Sequence, residues 1–267
     1  MKAKKIITII LTALVFLSAA ILGVSTVYRV DNVRVDITAL STEGDAESNA
    51  LQKRLQQAYY KQGIFFAEQT EAETALEDFP YLRLVSFKKE YPNLLVITVA
   101  EDAEVYATPK DSSNSAYYIL NADGVILGER ATYVNRVDAH LPAYNILLTG
   151  QQSGVSLTGE ECIELFFPFC QKLSALLGDK IRANVKSIES VSPTTQGAQS
   201  FYRITMVEGV KIYLFNPTEN IETKAAKAIE KYFALTDAQK MTGRIAVTED
   251  GQSLRLDYSE WDGFIGS

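Results

Sequence analysis

The sequence predicts an α+β fold in three parts: an N-terminal transmembrane helix, a small α+β domain, and a larger β-rich domain with an antiparallel sheet and flanking helices. Three observations predict it. Residues 6–28 run for 23 positions without a charge. Residues 29–101 read strand, helix, helix, strand, strand. Short strand-like runs broken by Asp-Gly and Glu-Gly turns then dominate as far as residue 258. The 267-residue chain is 47% apolar and 22% charged, which is enough to build a core.

Lys2, Lys4 and Lys5 precede the apolar run. At about 1.5 Å per residue the run would reach ~34 Å, against a hydrocarbon core of about 30 Å. The basic flank places residues 1–5 in the cytoplasm, residues 6–28 in the membrane and the rest outside. Ser18-Ala19-Ala20 also has the small residues that signal peptidase accepts. Apolar character continuing through Ile21, Leu22, Val24 and Val27 favours an uncleaved anchor, and carbonate extraction separates the two. Removing the three lysines of this segment leaves 23 basic against 33 acidic residues, a net charge of −10. That balance argues against a general nucleic-acid binder.

In the first domain, Val30, Val33, Val35 and Ile37 begin a strand, and the polar run 41–48 interrupts it. Asp45 is placed to cap a helix whose stripe is Leu51, Leu55, Ala58 and Tyr59. Gly63 suits a left-handed residue after that helix. Thr70-Glu71-Ala72-Glu73 has the form of a capping box for a second helix with Ala72, Ala75, Leu76 and Phe79 on one face, stopped by Pro80. Strands over 82–90 and 94–101 flank the turn Tyr91-Pro92-Asn93.

The second domain spans 102–258, with a tail over 259–267. Strands are predicted near 105–108, 116–120 and 125–127, the last two around Asp123-Gly124. Thr158-Gly159-Glu160-Glu161 opens a helix with Cys162, Leu165, Phe166, Phe169, Leu173, Leu176 and Leu177 at helical spacing. Pro168 should kink it and Gly178 end it. Strands follow over 185–191, 201–207 and 210–215. Asn216 with Pro217 and Glu219 then signals a helix with the stripe Ile221, Ala225, Ala228, Ile229, Tyr232 and Phe233. Lys224, Lys227 and Lys231 read as its solvated side. A hairpin over 244–248 and 253–258 closes the domain around Asp250-Gly251.

No catalytic constellation is visible, and no cofactor or metal ligand set is predicted. Gly-x-Ser-x-Gly, P-loop and His-Glu-x-x-His patterns are absent. His140, the sole histidine, precedes Leu141-Pro142 in a predicted loop and reads as a surface or structural residue. Cys162 and Cys170 lie about 12 Å apart along one helix, too far for a disulfide, and read as core thiols. Glu101, Asp102 and Glu104 read as a solvated strand end, since alternation separates Asp102 from its neighbours.

Several segments carry a resemblance. Val33 and Val35, then Gly63 with Phe65 and Phe66, then Phe79-Pro80, occur in the order of a POTRA domain. Tyr91-Pro92 followed by Leu94 to Val99 and Glu101, the hairpin Tyr118-Ile119-Leu120 with Asp123-Gly124-Val125-Ile126, and Leu141-Pro142 continue it. The chain thus resembles the FtsQ/DivIB family of bacterial cell-division proteins over nearly its whole length. It departs from the family's Glu-Arg-x-Pro at Glu101-Asp102-Ala103-Glu104, and its 38–48 segment is longer.

The resemblance implies a single-span membrane protein of the division septum. Such a protein is a non-enzymatic scaffold that binds FtsB/DivIC-like and FtsL-like coiled-coil partners and influences septal peptidoglycan synthesis. A sheet edge has unpaired N–H and C=O groups that another chain can satisfy. The terminal strand is the expected edge, with Leu254, Leu256 and Tyr258 toward one face and Ser253, Arg255 and Asp257 toward the other. By resemblance Arg255 and Tyr258 contact the partner, with Trp261 nearby. The bland reading has Leu254, Leu256 and Tyr258 closing the core and Trp261 packing over it. Competing readings are a POTRA-containing envelope transport or chaperone protein and a membrane-anchored cell-wall hydrolase. Depletion with microscopy separates division from transport, and muralytic activity marks the hydrolase.

Overall fold

The structure, a computed structural model, describes residues 2–39, 42–133, 145–150, 156–158, 160–192, 199–248 and 253–256. The chain divides into two compact units, Met1–Asp102 and Ala103–Ser267.

The first unit contains α1 (Lys2–Val27), β1 (Asn32–Thr38), α2 (Thr42–Tyr59), α3 (Gln69–Leu76), β2 (Leu82–Glu90) and β3 (Leu94–Glu101). A single 3-10 turn, Ile64–Phe66, links the second and third helices. The sheet order is β1-β3-β2, with β3 parallel to β1 and antiparallel to β2. The middle strand carries the core. Leu95, Ile97 and Val99 share one cluster with Leu51, Leu55 and Tyr59 of α2 and Ala72, Ala75 and Leu76 of α3. Offsets of four and eight residues place the three α2 side chains on one stripe.

The second unit holds one nine-stranded sheet with the order β12-β11-β10-β9-β8-β7-β4-β5-β6. Its strands are β4 (Tyr106–Pro109), β5 (Tyr117–Leu120), β6 (Ile126–Arg130), β7 (Ile146–Thr149), β8 (Val185–Val191), β9 (Phe201–Met206), β10 (Lys211–Phe215), β11 (Arg244–Val247) and β12 (Ser253–Leu256). The helices are α4 (Glu160–Leu177), α5 (Ile181–Asn184), α6 (Ile221–Phe233) and α7 (Asp237–Thr242). Phe166, Phe169 and Leu173 of α4 and Ala225, Ala228 and Ile229 of α6 join Ile188, Ile204, Ile212 and Ile245 in the main core. A smaller cluster, Phe201, Tyr213, Phe215 and Ala246, is separate from it.

Two parts of the predicted fold class are corrected. Among the described residues no helix is long and apolar enough to cross a membrane. The transmembrane helix is therefore withdrawn. The large sheet is also mixed rather than antiparallel: β10 and β11, β4 and β7, and β7 and β8 all pair in parallel. Helices α6 and α7 connect β10 to β11, and α4 and α5 connect β7 to β8. A helical crossover returns the chain to the same end of the sheet, so the next strand runs parallel.

Several local expectations also shift. Helix α2 begins at Thr42, so the polar run before Ser48 is mostly helix and Asp45 lies inside it. Gly63 has φ −66°, and Lys61, at φ 67°, takes the left-handed position instead. Gly63 is nevertheless tight, because a Cβ there would lie 3.0 Å from the Phe66 ring. The N-cap of α3 is Glu68, with no side-chain capping bond, so the Thr70 box does not form. Helix α6 starts at Ile221, after a loop in which Asn216 and Asn220 both adopt positive φ. Ala58, Leu176 and Phe233 are exposed, off their stripes.

Candidate partner-binding edge

The two outer strands of the nine-stranded sheet are β12 and β6. Each is hydrogen-bonded on one side only among the described strands, yet the two edges differ. β6 pairs with β5 through a register shift at Ile119/Leu120. Its last residues are charged and held: Glu129 accepts from Lys110 Nζ at 2.8 Å, and Arg130 Nη2 lies 2.5 Å from Glu104 Oε1. Irregularity and fixed charge are the devices that blunt an edge. β12 pairs with β11 over four successive positions with no shift.

Of the six predicted partner-binding residues, three lie in β12. Leu254 stands opposite Ala246, Arg255 opposite Ile245, and Leu256 opposite Arg244. Ile245 belongs to the main core and Ala246 to the smaller aromatic cluster. Asp257, Tyr258 and Trp261 lie outside the described residues, as does His140.

Support for this edge comes from α6, which packs against β10, β11 and β12. Here the structure overturns an expectation. Lys224 is fully buried rather than on a solvated side. Its ammonium donates to the carbonyls of Phe215 at 2.8 Å and Asn216 at 3.0 Å, the end of β10 and the start of the loop. The signal was in the spacing. Lys224 is three residues after Ile221 and four before Ala228, and so lies within the apolar stripe.

A second polar knot holds the other end of α6. The Tyr232 hydroxyl donates to Glu208 at 2.7 Å and lies 3.1 Å from Asn184 Oδ1, while the Lys240 ammonium sits 4.5 Å from the Tyr232 ring centroid. Helix α7 was not predicted. It starts with a capping box in which Thr236 and Gln239 bond reciprocally.

The acidic residues do not form the solvated strand end expected of them. Glu101 and Glu104 are buried. Asp102 pairs with Arg83 at 2.9 Å, and Glu104 pairs with Arg130. Glu101 lies so close to Gly44 of α2 that a Cβ there would strike its carboxylate. Near it, burial raises the Glu47 carboxyl above 4.5, opposed by the Tyr81 N–H that it accepts at 3.1 Å and assisted by the charge of Glu101. The folded first unit therefore holds a proton on Glu47 more tightly than the unfolded chain does. Its stability should fall as pH rises from 4.5 through the raised value. Glu47→Gln is expected to flatten that slope in urea midpoints measured across this window, with amide exchange of α2 as the readout.

Cys170 is buried, and its burial raises the thiol well above the ordinary range, as expected of a core residue. The side chain of Cys162 lies outside the described ones. Two grooves in the first unit, of about 330 Å³ between α2 and α3 and about 290 Å³ beside β1, are lined by Arg54, Thr70, Glu71 and Thr74 and by Asp31, Asn32, Gln56 and Tyr60 respectively. Neither lining contains a histidine or a cysteine. No protein-family model and no curated protein matches the chain.

Proposed function

We propose that this protein is a non-enzymatic scaffold that captures a partner by strand addition along the outer edge of β12. The observation that supports the reading is the position of β12: a terminal strand, paired with β11 over four successive positions without the register shift found at β6. A strand laid beside it would satisfy backbone groups, and side chains on alternate positions would set specificity. Leu254, Arg255, Leu256, Asp257, Tyr258 and Trp261 form the proposed contact. Following the resemblance, the partner is a small FtsB/DivIC-like coiled-coil protein paired with an FtsL-like one, the place is the bacterial division septum, and the complex influences septal peptidoglycan synthesis.

The test is binding of that coiled-coil pair, co-purified with the full chain. Arg255→Glu combined with Tyr258→Ala is expected to weaken it at least about tenfold, roughly 1.4 kcal/mol, with circular dichroism unchanged. Undiminished binding by a correctly folded double variant removes the site assignment.

A further inference from the structure

The first unit carries an exposed aromatic surface that the edge-binding role does not use. Phe65, Phe66 and Tyr91 are 53%, 76% and 58% exposed. Tyr28, the residue after α1, completes a three-ring cluster, with centroids 5.1 Å from Phe65 and 6.2 Å from Tyr91, and Phe65 lies 5.4 Å from Tyr91. Three cations belong to the same segments as the rings or to those beside them. Lys89 Nζ donates to the Phe65 carbonyl at 3.1 Å, Arg29 Nε donates to the Lys61 carbonyl at 2.9 Å, and the Lys61 ammonium stands 5.1 Å from the Tyr60 ring centroid. The neighbouring carboxylate Asp31 accepts from Asn93 Nδ2 at 3.2 Å. In α1, which leads into this cluster, Ile10, Leu11, Leu14, Val15, Phe16 and Leu17 are all exposed as well.

An apolar surface of this extent is normally covered. The choice of cover follows from the chemistry. The core of a protein interface is depleted of lysine, yet the Lys89 ammonium reaches the Phe65 backbone and Arg29 directly follows Tyr28 in the chain. Aromatic rings beside Lys and Arg match a lipid headgroup layer, where the rings sit at the acyl boundary and the cations meet phosphate. We propose that this surface docks on an anionic lipid membrane, with Phe65, Phe66 and Tyr91 at the acyl boundary and Arg29, Lys61 and Lys89 against the headgroup phosphates. The contact needs only the surface of the bilayer, and no helix has to cross it.

The experiment uses the full chain with Trp261→Phe and a single new reporter, Phe66→Trp or Tyr91→Trp. Met241→Trp, at an exposed position of the second unit, is the control. The probe is vesicles of phosphatidylcholine with added phosphatidylglycerol, one set brominated on the acyl chains. Both reporters in the first unit are expected to shift to shorter wavelength and to be quenched by the brominated lipid, while the control does neither. Replacing Arg29, Lys61 and Lys89 together with Gln should reduce the quenching. Reporters that vesicles leave unchanged overturn the proposal, including the case in which a cellular protein covers the patch instead. Equal quenching of the control overturns it too.

Discussion

Replacing Phe167 with alanine is expected to destabilise the second unit by about 3–5 kcal/mol, the largest effect of any single change considered. The ring is buried in α4, edge-on to Tyr106 at a centroid distance of 6.2 Å. It also closes over the β5–β6 turn, where Gly124 has φ +81° and a Cβ would lie 2.8 Å from the ring. Gly124→Ala therefore meets two costs: ~1–2 kcal/mol for the left-handed backbone and ~1–3 kcal/mol for overpacking. Phe167→Leu should relieve the second and leave the first. A double-mutant cycle in urea is expected to give a coupling of at least about 0.5 kcal/mol. Strict additivity would mean that the helix and the turn are not packed as described.

The second large effect is expected at Lys224. Lys224→Met keeps the length of the stem and removes the ammonium that holds the Phe215 and Asn216 carbonyls. Burying a lysine charge costs several kcal/mol, so its removal gives some of that back. Each hydrogen bond from a charged donor contributes about 1.5–3 kcal/mol, and a buried carbonyl that loses its donor costs about 1–3 kcal/mol. The Asn216 carbonyl keeps the Glu219 N–H at 3.1 Å, so the loss falls chiefly on the Phe215 carbonyl, and a net destabilisation of about 1–2 kcal/mol should appear as a lower urea midpoint with unchanged slope. Exchange of the amides in 216–220 should quicken first, because Lys224 ties that loop to α6. A neutral outcome would show that the stem alone carries the position.

The binding reading and the lipid reading rest on different parts of the molecule and fail separately. Arg255 and Tyr258 test the β12 edge in the second unit, whereas the tryptophan reporters test a surface of the first. The comparisons with known proteins support neither, so both stand on geometry, with the resemblance naming the partner for the first.

Sheet strands β2 and β3 fall at the residues the sequence predicts, because each is a long alternating run and Pro92 marks the turn between them. The buried stripes of α2 and α6 were equally legible wherever apolar residues recur at three and four positions. Helix starts were not: Thr70 and Asn216 have the right chemistry in the wrong place, because the chain enters each helix by a path set by its neighbours. β7 was missed. Four residues are too few to show a period, and Ile146–Thr149 is a strand because β4 and β8 bind it on both sides.

What the linear order of residues determined by itself was the set of amphipathic stripes, the tight turns at Gly124 and Gly209, and a terminal strand-forming segment at 253–256. These depend on spacing and on the conformational freedom of single residues, both local properties. Only the tertiary structure decided that the large sheet is mixed, that Lys224 faces inward, that Glu101 and Glu104 are buried, and that β6 is an outer strand of the sheet while β7 is central. Each of those depends on which distant group arrives to supply a hydrogen bond or exclude water, and no local pattern encodes that.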